Sequence, residues 1–136
     1  MLLALEKFFA LHRLWRAFWF FAMIGVFYLA TTPNPYPIPA SSIDKVNHIA
    51  AFVALAVLFC LGFPKRSPWL MIGAMLTFGI FIELVQAELP YRDCSFWDVV
   101  ADSIGILAGL ALCYLLPFLR EPIGYGAKRR TPHEAK

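Results

Sequence analysis

The sequence predicts an all-α, polytopic membrane protein with four transmembrane helices. Of its 136 residues, 60% are hydrophobic and 15% are charged, whereas an ordinary soluble domain is about 45–50% apolar and about 25% charged. Four spans of about 20 residues use roughly 80 residues, which leaves room only for loops and tails. The same composition excludes a disordered chain, a coiled coil and a secreted disulfide scaffold.

Helix-breaking and polar segments separate the predicted spans. Residues 1–13 resemble a short amphipathic helix on the membrane surface, and the first apolar run lacks the small-residue pattern of a cleaved signal peptide. Alternating prolines make residues 33–40 a stiff loop. Capping-box patterns begin the second and fourth spans, at Ser41–Asp44 and Ser95–Asp98. We expect one transmembrane domain, 1–119, with spans at about 14–32, 43–63, 69–88 and 96–119, followed by a basic tail, 120–136.

The positions of Lys and Arg predict that both termini are cytoplasmic. Of the 12 such residues, only Lys45 and Arg92 fall on the side opposite the termini, and basic loops favour the cytoplasm. The carboxylates are distributed in the opposite way, with six towards the outer side. We interpret the basic tail as a topology signal that contacts anionic lipid, so the expected partner is the lipid bilayer and not nucleic acid.

The cysteines do not indicate a disulfide framework or a zinc ribbon. Cys60 and Cys113 lie in apolar runs, where a thiol behaves as a small hydrophobe, and only Cys94 lies in a polar loop. No Cys/His ligand spacing is present. The cofactor is therefore unknown, and the sequence requires none.

Ionisable side chains from three spans fall at one membrane depth, near the outer surface. Their spacing of three or four residues places each pair on one helix face. A charge inside the bilayer costs about 2.5–3.5 kcal/mol on insertion scales, so such groups pair or line a wet cavity and mark function by default. The pairs are Asp44 and His48, Glu83 and Gln86, and Asp98 and Asp102, with Lys45 and Arg92 beside them.

Glycines share these faces. Gly79 precedes Glu83 by four residues, and the stripe of Asp98 and Asp102 continues into Gly105-x-x-x-Gly109, a small-xxx-small packing motif. The polar side chains are therefore predicted to meet inside the bundle, in a pocket that opens to the outer face.

Structural roles compete with functional ones at each position. The acids that begin spans 2 and 4 also fit helix capping. Glu83 lies near a helix C-terminus, where the dipole disfavours an anion, and its structural role would be a salt bridge to Lys45 or Arg92. The remaining structural alternatives are interhelical hydrogen bonds, made by His48 to a neighbouring helix, by Gln86, and by Asp102 to His48 or Arg92.

The order of these residues resembles the VanZ-like family. The pattern is Asp44-Lys45-x-x-His48-x-x-x-Phe52, then Glu83-x-x-Gln86, then Arg92-x-x-Ser95-x-x-Asp98-x-x-x-Asp102-x-x-Gly105, and it covers residues 40–112. The resemblance implies a multi-pass protein of the bacterial cytoplasmic (inner) membrane, related to an accessory factor in teicoplanin resistance. The family often has Asn where this chain has Asp102, which adds a negative charge to an acidic site.

Two functions are expected, in different classes. The first is an envelope accessory protein that binds a lipid-linked or peptidoglycan-related ligand, with Arg92 and Lys45 on phosphate. The second is an intramembrane enzyme with Glu83 as general base, in acid–base or metal-assisted form. A through-membrane proton path is disfavoured because the inner half of every span is apolar. The ligand-binding candidates are Asp44, Lys45, Gln86, Arg92 and Asp98, the catalytic candidates are Glu83, His48 and Asp102, and the metal candidates are His48, Glu83, Asp98 and Asp102.

Overall fold

The computed structural model describes residues 11–33, 41–92 and 94–116, and the side chains of 41–43 are not among the described parts. Within these ranges the chain forms helices and no strand. The predicted surface segment at 1–13 lies almost wholly outside them, as do most of the proline loop and the tail at 120–136. The helices are α1 (His12–Thr31), α2 (Ser41–Gly62), α3 (Pro68–Ala87) and α4 (Phe96–Leu115).

Each of the four helices is long and apolar enough to cross a membrane, which confirms the predicted all-α membrane fold. The first three predicted spans begin and end within two residues of α1, α2 and α3. At the start of α3, Pro68 occupies the first turn and the Ser67 hydroxyl accepts a hydrogen bond from the backbone N–H of Trp69. Proline suits this position because its missing N–H has no intrahelical partner to lose.

Apolar side chains cover the outside of the bundle, and polar ones lie within it. Phe21 is 70% exposed and Trp69 is 78% exposed, as expected of side chains that face lipid. The buried polar residues of the described chain all belong to α3 and α4: Glu83, Gln86, Asp98 and Asp102. This distribution is typical of a membrane bundle that holds its ionisable groups away from the hydrocarbon.

Glycines bring α4 against α2, the most extensive helix pair in the structure. A Cβ atom added at Gly105 would lie 2.6 Å from the backbone oxygen of Ile49, and one added at Gly109 would lie 2.6 Å from the Cβ of Ala56. The predicted small-xxx-small motif therefore forms the α2–α4 interface, where backbones approach closely because no side chain separates them.

Helix α1 is the most peripheral of the four. Trp19 is its one buried residue among those described, and it packs edge-on against Phe59 and Phe63. At the N-terminal end of α1, the ring nitrogen Nδ1 of His12 lies 2.9 Å from the carbonyl oxygen of Leu61, and Arg16 Nε donates to the carbonyl of Gly62 at 2.8 Å. These contacts satisfy carbonyls that the end of α2 leaves without intrahelical partners.

Candidate functional site

The candidate residues from α2, α3 and α4 meet at one end of the bundle, where α2 and α4 begin and α1 and α3 end. Four of them are at most 4% exposed, namely Glu83, Gln86, Asp98 and Asp102. Their convergence follows from the up-and-down order of the helices, because the start of one span lies beside the end of the previous one.

A hydrogen bond between α2 and α4 forms the centre of the site. His48 Nδ1 lies 2.8 Å from Asp102 Oδ1, which is the first of the two partners considered for Asp102 from the sequence. The second carboxylate oxygen of Asp102 lies over Gly79, where an added Cβ would be 2.5 Å away. Gly79 thus provides the space that a fully buried carboxylate occupies between α3 and α4.

Glu83 joins the end of α3 to the start of α4. Its Oε2 accepts a hydrogen bond from the backbone N–H of Ser95 at 2.9 Å, and Ser95 is the N-cap residue of α4. The predicted capping box at Ser95–Asp98 is therefore wrong. The Ser95 side chain makes no cap hydrogen bond. In a capping box, the side chain three positions after the N-cap residue accepts from the N-cap N–H. Here the acceptor is a carboxylate of α3 and not that of Asp98.

Asp98 is consequently available for another role. It is 3% exposed, and its Oδ1 has no hydrogen-bond partner. Lys45 Nζ, on a partly exposed side chain, lies 3.6 Å from that oxygen, which is an ion pair but longer than a hydrogen bond. Asp44 lies one helical turn before His48 on α2.

Three side chains from α3 and the following loop cap the C-terminus of α1. The last four carbonyls of a helix lack intrahelical donors, and here each of them finds one. The carbonyl of Tyr28 accepts from the N–H of Thr32, that of Leu29 from Arg92, that of Ala30 from Gln86, and that of Thr31 from the Tyr91 hydroxyl. Arg92 also donates to the carbonyl of Thr32, at 2.6 Å.

A cavity of about 520 Å³ lies between α1, α2 and α3 at the same end. One part of its wall is apolar and includes Val26, Leu29 and Phe52. The other part is polar and consists of Asp44, Asn47, His48, Gln86 and Arg92, with Thr32 at the edge. Glu83, Asp98 and Asp102 do not line this cavity, and His48 links the cavity to the buried Asp102.

The structure also gathers three potential metal ligands. One ligand atom each from Asp44, His48 and Asp98 lies within 4.8 Å of the others. The set shares His48 and Asp98 with the candidates named from the sequence but contains Asp44 in place of Glu83 and Asp102. The reason is geometric, because Glu83 is engaged with the backbone of α4 and Asp102 lies behind the imidazole ring.

Two residues of the site were not selected from the sequence. Asn47 lines the cavity, and its position three residues after Asp44 was a usable signal, since it shares that helix face. Tyr91 caps α1 across 60 positions of sequence, and no local pattern indicates such a contact.

A family model described as VanZ/LLP1 matches residues 3–117 of the chain. No curated protein and no solved structure gives a significant match. The family match spans all four helices and every residue of the site described above. The chain is therefore a multi-pass membrane protein that belongs to the VanZ/LLP1 family.

Proposed function

We propose that this protein is a cell-envelope accessory protein whose cavity binds a lipid-linked ligand with a phosphate-containing headgroup. It acts in the bacterial cytoplasmic membrane, with both termini in the cytoplasm and the cavity facing outwards. The observation that carries the proposal is the divided wall of the cavity, apolar along α1 and polar around His48 and Arg92.

The two parts of the wall fit the two parts of an amphipathic molecule. A prenyl or acyl chain would lie along Val26, Leu29 and Ile82, where it exchanges one apolar surrounding for another. The headgroup would meet Asn47, whose amide can donate hydrogen bonds, and Arg92, whose guanidinium suits phosphate. The predicted ligand class is a lipid-linked peptidoglycan precursor, which carries both parts.

Binding is tested with the purified protein and a polyprenyl phosphate, compared with the uncharged polyprenol of the same length. We expect saturable binding of the phosphate in native mass spectrometry and at least tenfold weaker binding of the alcohol. Ala50→Leu fills the cavity from its wall and should reduce binding at least tenfold. Ala74→Leu adds the same volume on an exposed face of α3 away from the cavity and should leave binding unchanged. Equal binding by the two variants contradicts the proposal.

The connection to teicoplanin is tested in a host that expresses the wild-type protein or a site variant at matched membrane abundance. The family resemblance predicts that the wild type protects, and the proposed site predicts that His48→Ala, at the cavity wall, does not, whereas loss of protection in Glu83→Gln would show that the buried acids also carry the activity. If the wild type gives no protection, the proposed link to resistance is rejected while ligand binding remains separately testable.

A second candidate is an intramembrane acid–base enzyme, and the hydrogen bond from His48 to Asp102 favours it. A base whose other nitrogen is oriented by a carboxylate is the arrangement that activates a nucleophile in many hydrolases. In this candidate His48 replaces Glu83 as general base, because His48 lines the cavity and Glu83 does not. Slow conversion of a polyprenyl pyrophosphate that disappears in His48→Gln while binding persists would favour the enzyme. Quantitative recovery of unchanged lipid would reject it.

A further inference from the structure

Among the candidate residues of the site, the acids exceed the positive charges that accompany them. Asp44, Glu83, Asp98 and Asp102 contribute four negative charges, whereas Lys45 and Arg92 contribute two positive charges. With His48 neutral, the surplus is therefore two negative charges. Burying a carboxylate without compensation is expensive, so a membrane site with this surplus requires protons or a bound cation.

Hydrogen bonds do not compensate for the surplus. Glu83 Oε1, Asp98 Oδ1 and Asp102 Oδ2 are all buried, and none has a hydrogen-bond partner among the described residues, although Lys45 Nζ lies 3.6 Å from Asp98 Oδ1. Arg92 Nη2 donates to the carbonyls of Leu29 and Thr32 rather than to these acids. Asp98 is the most informative of the three, since it is 97% buried and its carboxylate belongs to the group that it shares with Asp44 and His48.

The geometry of that group suits one small divalent ion. Zn²⁺ binds carboxylate oxygen and imidazole nitrogen at about 2.0–2.2 Å, so two ligand atoms on one ion are at most about 4.4 Å apart. The ligand atoms of Asp44, His48 and Asp98 all lie within 4.8 Å of one another. Side-chain adjustments of a few tenths of an ångström would therefore bring the three atoms onto one ion.

His48 is oriented as a metal ligand. When Asp102 is ionised it accepts hydrogen bonds only, and His48 Nδ1, at 2.8 Å, then donates the proton and leaves the lone pair of Nε2 for a metal ion. Metal-binding histidines almost always donate their second N–H to a carboxylate, a carbonyl or water in this way.

We propose that Asp44, His48 and Asp98 bind one divalent transition-metal ion, Zn²⁺ or Mn²⁺, and that Asp102 positions His48. Mixed imidazole and carboxylate ligands suit these ions. Two of the three ligands line the cavity, so the remaining coordination positions face a bound headgroup and are available to its phosphate oxygens. The contact between the ion and a headgroup phosphate rests on the proposed function, whereas the metal site itself does not.

The test uses tag-free, metal-stripped protein in which Cys94, a thiol beside the site, is replaced by serine. Mn²⁺ is added without lipid and followed by its electron paramagnetic resonance signal, with Zn²⁺ as competitor. We expect one ion per chain. Asp98→Asn should weaken binding at least tenfold, and Asp102→Asn should weaken it about 10–100-fold as an outer-shell change. Glu88→Gln changes an exposed carboxylate at the same end of the bundle and should have no effect.

Four results separate this proposal from the proposed function. Absence of stoichiometric Mn²⁺ and Zn²⁺ binding overturns the metal site, as does equal affinity in Asp98→Asn and the wild type. If Asp98→Asn does not fold, the metal affinity of Asp44→Asn, which changes a half-buried residue, is compared with that of the wild type instead. Metal binding without polyprenyl phosphate binding keeps the ion and rejects the ligand. Lipid binding that is unaffected by the chelator EDTA keeps the ligand and overturns the bridging role of the ion.

Discussion

Replacing Gly105 with alanine tests the close approach of α4 to α2. The new Cβ would lie 2.6 Å from the backbone oxygen of Ile49 and 2.8 Å from the Cβ of Phe52. Ordinary van der Waals contact begins at 3.4 Å, so the first contact is short by about 0.8 Å. Because the crowded oxygen belongs to the backbone, a change of rotamer cannot relieve the contact, and the two helices must move apart.

The cost is obtained by comparison with a glycine that has free space. An alanine Cβ at Gly73 meets nothing within 4 Å. Gly73→Ala should therefore leave the free energy of unfolding unchanged or raise it by up to about 1 kcal/mol through helix propensity. Gly105→Ala carries the same propensity gain but adds an overpacking cost of roughly 1–3 kcal/mol. The difference between the two variants therefore isolates the steric contribution, which we expect to be about 1–3 kcal/mol.

The assay is reversible unfolding of the two variants and the wild type in mixed micelles, with SDS as denaturant and the tryptophan signal as readout. Gly105→Ala should unfold at lower SDS than the wild type, and Gly73→Ala should not. Equal stability of the two variants would refute the packing argument, because it would mean that α2 and α4 are not held in backbone contact at this position.

Three further predictions follow from the contacts at the site end. Arg92→Met removes the donor to two carbonyls of α1 and should lower stability by about 1–3 kcal/mol, measured in the same assay. Glu83→Ala leaves the N–H of Ser95 without its acceptor and should cost about as much, whereas Glu83→Gln keeps an acceptor oxygen and should cost less; a larger loss in Glu83→Gln would contradict this role. Partial desolvation of the sulfur and the nearby Glu83 carboxylate raise the pKa of the exposed Cys94 thiol. The reactive thiolate is therefore scarcer at neutral pH than for an ordinary cysteine. We expect an impermeant maleimide to label Cys94 slowly from outside the cell, at a rate that keeps rising at alkaline pH. The control, Lys65→Cys, should be labelled only after permeabilisation.

The fold could be predicted because the physical constraint on it is severe. A helix that crosses lipid must be apolar over about 20 residues, and all four such runs are visible in the sequence. The faces of α3 and α4 could be predicted for a similar reason, since glycines and acids recur at the helical period. Gly79, Gly105 and Gly109 each meet a neighbouring helix as that period requires.

The contact between His48 and Asp102 was among those expected, but other connections between helices could not be predicted, because nothing local in the sequence encodes them. The motif at Ser95 and Asp98 has the spacing of a capping box, but the N-cap N–H pairs with a carboxylate 12 positions earlier. Arg92 was expected at a phosphate, and its contacts with carbonyls about 60 residues away, at the end of α1, were not foreseen. The sequence indicated which residues converge, whereas the three-dimensional arrangement decides which of them face the cavity.

The peripheral position of α1 has a consequence for how a ligand reaches the cavity. The α1 helix buries only Trp19 among its described residues, and polar contacts at its two ends tie it to the rest of the bundle. Separating α1 from its neighbours therefore exposes little apolar surface that lipid cannot cover equally well. A long-chain molecule that diffuses within the bilayer can enter sideways past this helix without its headgroup leaving the membrane surface. For the proposed lipid-linked ligand, such lateral entry would not depend on the width of the aqueous opening.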